Sequence, residues 1–446
     1  MPAAQQTKAL PDGASLRETA PSTTAIMLAL AGGTALALLA GTDMAARSGM
    51  LPILELSAEW IGDVYLTLVQ FLTLPLIFLA LARATTMLAQ RHQLGRTIGH
   101  AILFAAGTSL LGIFIALSAT HLFRPGEAVL GDTADGLIRM GSHATRDIAE
   151  RLPIAGGLAS TMLAIVSETL SFIGSGRLYL PIMALGVATG LILAGRAKEG
   201  GGPLISARLE SLYRVLLALT GRILRFSPIP IGCLIYQLLA TDSLAPAAAL
   251  FPYVGVLMLA FVLQLMVVYF AAVWILAGIR PLRFFRAIRE AMLVAFGTSS
   301  SSASLAVALR LAHDRLGIPE PIGRLVLGAG TCLNQSGSAM FLGATVIFLA
   351  QFFGITLSLW QHGVVILSCS IAAMGTVGVP GASITVIAIT LKLIGVPVET
   401  ISLILGVDRL MDMCRSMLNI TGDMAMAAVL SARDPAANPA AGTGAR

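Results

Sequence analysis

Apolar runs long enough to cross a bilayer recur along this chain of 446 residues, and they constrain its fold more than any other feature. A spanning helix needs about 20 consecutive apolar residues. Hydropathy gives runs at about 24–46, 60–88, 96–122, 152–195 (long and interrupted), 208–240 and 247–279. With 56% apolar and 12% charged residues, and a mean hydropathy of +0.86, the composition excludes a large soluble domain and predicts a polytopic membrane protein. The net charge of +6 does not point to nucleic acid, because the basic residues cluster between apolar spans. Arg83, Arg91 and Arg96 follow the second span, Arg196, Lys198 and Arg208 the fourth, and Arg280, Arg283, Arg286 and Arg289 the sixth. This alternation predicts that those loops are cytoplasmic. The polar residues 1–21 read as a cytoplasmic tail and the Ala, Pro and Gly-rich residues 433–446 as a disordered one. Cys233, Cys332, Cys369 and Cys414 lack disulfide or zinc-type spacing and are expected as buried small residues.

The last third of the sequence differs. Two of its apolar stretches are broken, one by Gly297-Thr298-Ser299-Ser300-Ser301-Ser302-Ala303-Ser304 and one by Gly375-Thr376-Val377-Gly378-Val379-Pro380-Gly381. Hydrocarbon offers no partners to freed N–H and C=O groups, so both breaks are expected as tips of re-entrant hairpins that meet inside protein. Paired broken segments of this kind point to a midplane ligand site, where half-helix ends present N–H groups to anions and C=O groups to cations. A final apolar stretch carries five charges between Asp408 and Asp423. Each costs roughly 2.5 to 3.5 kcal/mol at mid-membrane, so they are expected to line a polar cavity. Asp412, Arg415, Ser416, Asn419 and Asp423 fall within roughly 100° of one another on a helical wheel. Carboxylate, guanidinium, hydroxyl and amide on one face suit a small ligand charged at both ends.

The serine-rich tip, the Asn334-Gln335-Ser336-Gly337-Ser338 break, the Gly378-Val379-Pro380-Gly381 tip and the Asp412 to Asp423 helix together resemble the glutamate/aspartate transporters of the dicarboxylate/amino acid:cation symporters. The resemblance runs from about residue 20 to 432. It implies an all-α polytopic membrane protein with eight transmembrane helices, two re-entrant helical hairpins and inverted repeats, working as an elevator in a homotrimer of the cell inner membrane with both termini cytoplasmic. Residues 22–95 would form scaffold helices one and two, 96–123 transport-domain helix three, 124–246 scaffold helices four and five, and 247–432 the transport-domain core. By position, Asp412 would hold the substrate ammonium and Arg415 its side-chain carboxylate. Ser338, Ser416 and Asn419 would add polar contacts, and Ser300, Ser301 and Ser302 with Gly381 would take the main-chain carboxylate. Sodium, the coupling ion, would be held among Gly330, Cys332, Asn334, Gln335, Thr376, Asn419 and Asp423; no other cofactor is implied.

Residue chemistry agrees with an acidic amino acid. The guanidinium fork suits a carboxylate, and a substrate without an amino group would leave Asp412 unpaired and costly. Two departures bear on coupling. Ser336 stands where the family carries an aspartate, with Gln335 in place of a methionine. Oxygen-site affinity falls with ligand charge, so a further cation site involving Thr108, Ser109 and Ser336 is expected to be lost or weakened, leaving fewer sodium ions or proton coupling. The family's arginine at the first tip or on the last helix is replaced by Ser299 and Met413. Arg409 could substitute or pair locally with Asp408.

No enzyme is expected: a nucleophilic serine needs a base, and His92, His100, His121, His143, His313 and His362 lie outside the polar motifs. A neutral amino-acid or dicarboxylate carrier of the same fold, or an amino-acid receptor or channel, remains an alternative. The expected partners are the amino acid, the lipid bilayer and further copies of the chain, and no nucleic acid.

Overall fold

The computed structural model describes residues 23–40, 51–90, 93–128, 179–198, 203–240, 250–373, 382–397 and 401–433. All regular structure among them is helical. Long apolar helices come first: α1 (Thr23–Ala40), α2 (Leu51–Gln90) and α3 (Leu94–Phe123), the last followed by a single turn, α4 (Pro125–Ala128). Next come α5 (Tyr179–Lys198), α6 (Pro203–Arg225) and α7 (Pro228–Ala240). The 208–240 run is thus bent by 56° between α6 and α7, where Pro228 and Pro230 interrupt the helical N–H series. α8 (Phe251–Leu263) continues through two π-helical segments, Gln264–Tyr269 and Ala272–Leu276. Five helical spans among the described residues are long and apolar enough to cross a membrane, or six with the bent pair.

The remaining helices are α9 (Pro281–Thr298), α10 (Leu305–Asp314), α11 (Glu320–Leu333), α12 (Ser336–Phe352), α13 (Leu359–Ala373), α14 (Ala382–Ile394) and α15 (Ile401–Ala432). α9 and α10 pack on each other and both on α15, so the chain doubles back at the serine tip. α11 and α12 form one rod interrupted at Asn334-Gln335, and this rod packs along α3 and α15. α13 and α14 also pack together, but Thr376, Gly381 and the rest of the second tip lie outside the described residues, as does the first part of the 152–195 run.

Two groups of contacts organise the molecule. α1, α2, α5, α6 and α7 pack mainly among themselves, and α3 and α8 to α15 do likewise. An ion cluster built around buried Arg324 ties α11 to the first group. Glu210 of α6 accepts from Arg324 of α11 at 2.8 and 3.1 Å, from Arg83 of α2 at 3.1 Å and from Arg214 at 2.9 Å. Arg324 also reaches Glu320 at 2.7 Å and lies 4.1 Å over the Tyr213 ring. A guanidinium this buried needs such a full set of partners.

Candidate functional site

The serine tip is built from a helix end. Ser299 has φ 52°, in the left-handed region, and the N–H groups of Ser299 and Ser300 return to Phe296 and Ala295 at 3.2 Å each. That double return is the Schellman ending of α9, here made by serine where glycine is usual. Beyond it the hydroxyls bond within the turn: Ser300 Oγ lies 3.0 Å from Ser302 Oγ and accepts from the Ala303 N–H, and Ser304 Oγ donates to Ser301 O at 2.7 Å. Ser300, Ser301 and Ser302 are all buried, against the helix pair that also holds α15.

α15 carries the charges. Arg415 is buried and donates to Asp412, one turn earlier on the same helix, from Nε and Nη2. Asp408 approaches Arg415 Nη2 at 4.0 Å, and the Phe341 ring lies 4.6 Å from the guanidinium carbon. Arg415 Nη1 and Asp408 Oδ1 are nonetheless buried without a hydrogen-bond partner. Asp408 therefore turns to Arg415, and the local Asp408–Arg409 pair allowed by the sequence does not form among the described residues.

One turn along, the broken rod closes on the same face. Asn419 Oδ1 accepts from the Gly337 N–H at 2.8 Å, while Nδ2 donates to Gln335 Oε1 at 2.5 Å and Ser338 Oγ at 3.2 Å. Gln335 Nε2 returns to Thr331 O at 2.6 Å. Gly337 permits this approach: a Cβ there would stand 2.9 Å from Arg415 O. Further on, Asn334 Nδ2 donates to Asp423 Oδ1 at 3.2 Å, and Asn334 Oδ1 accepts from Thr108 Oγ1 at 3.3 Å. Asp423 is fully buried, its Oδ2 has no partner, and a Cβ on Gly330 would meet Oδ1 at 2.6 Å. A buried carboxylate oxygen left bare costs several kcal/mol and suits a cation.

The structure thus brings together Asp412, Arg415 and Ser416 in one stretch of α15, Asn419 with Gln335 and Ser338, and Asn334 with Asp423, Gly330 and Thr108. Ser109 and Cys332 are buried nearby on α3 and α11. Ser336 lies apart from Thr108 and Ser109 in its bonding, since its hydroxyl sits 2.5 Å from that of Tyr269. Tyr269 and Gln264, which donates to Thr108 O at 3.0 Å, were not among the residues expected from the motifs. Their signal was hydrogen-bonding side chains inside a mostly apolar sixth span, which also holds Tyr253 and Trp274. Phe341, under the guanidinium, carried no signal distinguishable from core packing.

Long apolar helices enclosing a buried, oppositely charged helix face define a multi-pass membrane transport protein. The family model of the sodium:dicarboxylate symporters matches residues 23–433, and the chain belongs to that family of cation-coupled transporters rather than enzymes. It is similar to the proton/glutamate-aspartate symporter of Escherichia coli (strain K12), 27% identical over 81% of this chain and 82% of that protein. The proton/sodium-glutamate symport protein of Bacillus subtilis (strain 168) is 28% identical over 87% and 89%. A C4-dicarboxylate transport protein of Paraburkholderia phymatum is 29% identical over 85% and 88%.

Proposed function

We propose that this symporter carries acidic amino acids, L-aspartate or L-glutamate, across the cell inner membrane by an elevator mechanism. One observation carries the reading: half-buried Asp412 and buried Arg415 face each other on one turn of α15, with Arg415 Nη1 left without an acceptor. An acidic amino acid exchanges this internal pair for two external ones, its ammonium on Asp412 and its side-chain carboxylate on the guanidinium fork. A C4-dicarboxylate satisfies Arg415 but leaves Asp412 without a cation, at the cost of an unpaired, partly buried charge. Ser300 to Ser302 and the Gly381 tip then hold the main-chain carboxylate, and Ser338, Ser416 and Asn419 the remaining polar edge.

Coupling cations are assigned to Asp423, Asn334, Asn419 and the Gly330 carbonyl, with Cys332, Gln335 and Thr376 around them. The bare Oδ2 of Asp423 supports this assignment. Ser336 brings no charge and already bonds Tyr269, which supports a reduced number of sodium ions or proton coupling. In the elevator, residues 22–95 and 124–246 form the scaffold of a homotrimer, and 96–123 with 247–432 form the moving body. The separation of helix contacts into two groups supports that division. The full architecture is then eight spans and two hairpins in inverted repeats, with both termini cytoplasmic.

Counterflow tests the reading. Vesicles containing the protein and loaded with unlabelled aspartate accumulate labelled aspartate, and Arg415→Ala abolishes that accumulation. Binding without flux, or unchanged aspartate flux in Arg415→Ala, contradicts it.

A further inference from the structure

A groove of about 580 Å³ runs between α3, the π-helical part of α8 and the end of α15, about two turns beyond Asp423. Its walls are almost wholly apolar, with Leu103, Leu111, Ile115, Val267, Ala271 and Ile275 among them. The two π segments line one wall of it, and a π turn widens a helix and shifts its side chains off the α-helical ridges that interlock with a neighbour. At one end the groove meets a second, smaller cavity lined by Arg96, His100 and Arg433, and His100, Leu430 and Arg433 border both. No carboxylate lines either cavity among the described residues, and none of these three basic side chains has an ion-pair partner there.

Three basic groups above a greasy slot present opposite chemistry to the two parts of one molecule. We propose that this composite cavity binds an anionic phospholipid, with its phosphate against Arg96, His100 and Arg433 and one acyl chain along α3 and α8. The dimensions agree: from His100 to Ile115 the helix rises about 22 Å, enough for a chain that crosses one hydrocarbon leaflet of about 15 Å. Basic residues gathered at one end of a helix bundle are the usual footprint of anionic headgroups. A zwitterionic lipid satisfies the slot but not the charges. The groove also reaches Thr108, whose hydroxyl touches Asn334, so the acyl chain packs directly behind the polar cluster around Asp423.

Thermal unfolding of tag-free protein in detergent doped with dioleoyl phosphatidylglycerol, or with the phosphatidylcholine of the same chains, tests this. Phosphatidylglycerol raises Tm more than phosphatidylcholine, and glycerol phosphate without chains gives no shift. The double variant Arg96→Gln/Arg433→Gln loses the difference between the lipids, its affinity for phosphatidylglycerol falling roughly 25-fold at about five-fold per arginine. Gly107 borders the groove, and a Cβ there meets nothing within 4 Å. Gly107→Leu therefore fills the slot without a backbone clash, improves helix propensity, and removes the stabilisation by phosphatidylglycerol while both arginines remain. Equal shifts from the two lipids, a preference retained in both variants, or a shift reproduced by glycerol phosphate alone overturns the proposal.

Discussion

The Arg415 guanidinium is held on one edge by Asp412, approached by Asp408 at 4.0 Å and backed by the Phe341 ring, which fixes its plane while Nη1 stays unpartnered. A planar fork fixed in this way favours a carboxylate, and a lysine ammonium cannot imitate it. Arg415→Lys therefore keeps the charge but weakens aspartate binding at least about ten-fold, about 1.4 kcal/mol, by isothermal titration calorimetry. Gly330 poses a steric test. A methyl group there meets Asp423 Oδ1 at 2.6 Å, so Gly330→Ala destabilises the protein by about 1–3 kcal/mol and lowers its cation affinity, both visible in thermal unfolding with and without sodium. At this scale the charged residues were legible in the sequence, because a charge in an apolar run announces that something polar surrounds it. Burial of Asp423 was less so, since a residue near a helix end can also be solvated; only the packing of Asn334 and Gly330 against it decides. Tyr269 and Gln264 escaped because an amphipathic side chain in a span reads as packing until its partner is known.

The break between α11 and α12 is the element that gathers the site. It turns Asn334, Gln335 and the Gly337 N–H toward α15, where Asn419 and Asp423 complete their hydrogen bonds. Ser336 opens α12 and faces Tyr269 from the π segment of α8, so a carboxylate there would enter a buried pocket near a helix N-terminus, where negative charge is favoured. Ser336→Asp is expected to steepen the sodium dependence of uptake, raising the Hill slope; an unchanged slope removes the lost-site explanation. The first serine tip was legible as a break in hydropathy because freed backbone groups demand protein partners. The π segments of α8 were not, since an inserted residue that widens a helix leaves its composition unchanged. The bend between α6 and α7 was hidden for a related reason: Pro228 and Pro230 mark a possible kink, whereas its 56° angle depends on neighbouring helices.

Across the whole molecule, the Glu210 cluster joins α2 and α6 to α11, and under the elevator reading α11 slides past them in every cycle. Glu210→Gln leaves Arg324 buried with weakened partners, costing roughly 3 kcal/mol. Its Tm falls, and turnover of counterflow rises because a contact that must break has been loosened; an unchanged Tm contradicts a stabilising role for the Glu210–Arg324 pair. Most of the described spans were readable from hydropathy, but the basic residues expected in loops between them lie largely within helices: Arg83 in α2, Arg96 in α3, Arg208 in α6 and Arg283, Arg286 and Arg289 in α9. The Glu210 cluster joins residues far apart in the chain, so no local pattern reveals it. Under the proposed acidic amino-acid specificity, transport begins with recognition of two opposite charges on one substrate, and its most direct test is the aspartate-to-succinate affinity ratio measured by competition in the original protein and in Asp412→Asn. The ratio strongly favours aspartate in the original and collapses toward one or inverts in the variant. A preference for aspartate that survives loss of the Asp412 charge contradicts the assignment of that carboxylate to the substrate ammonium.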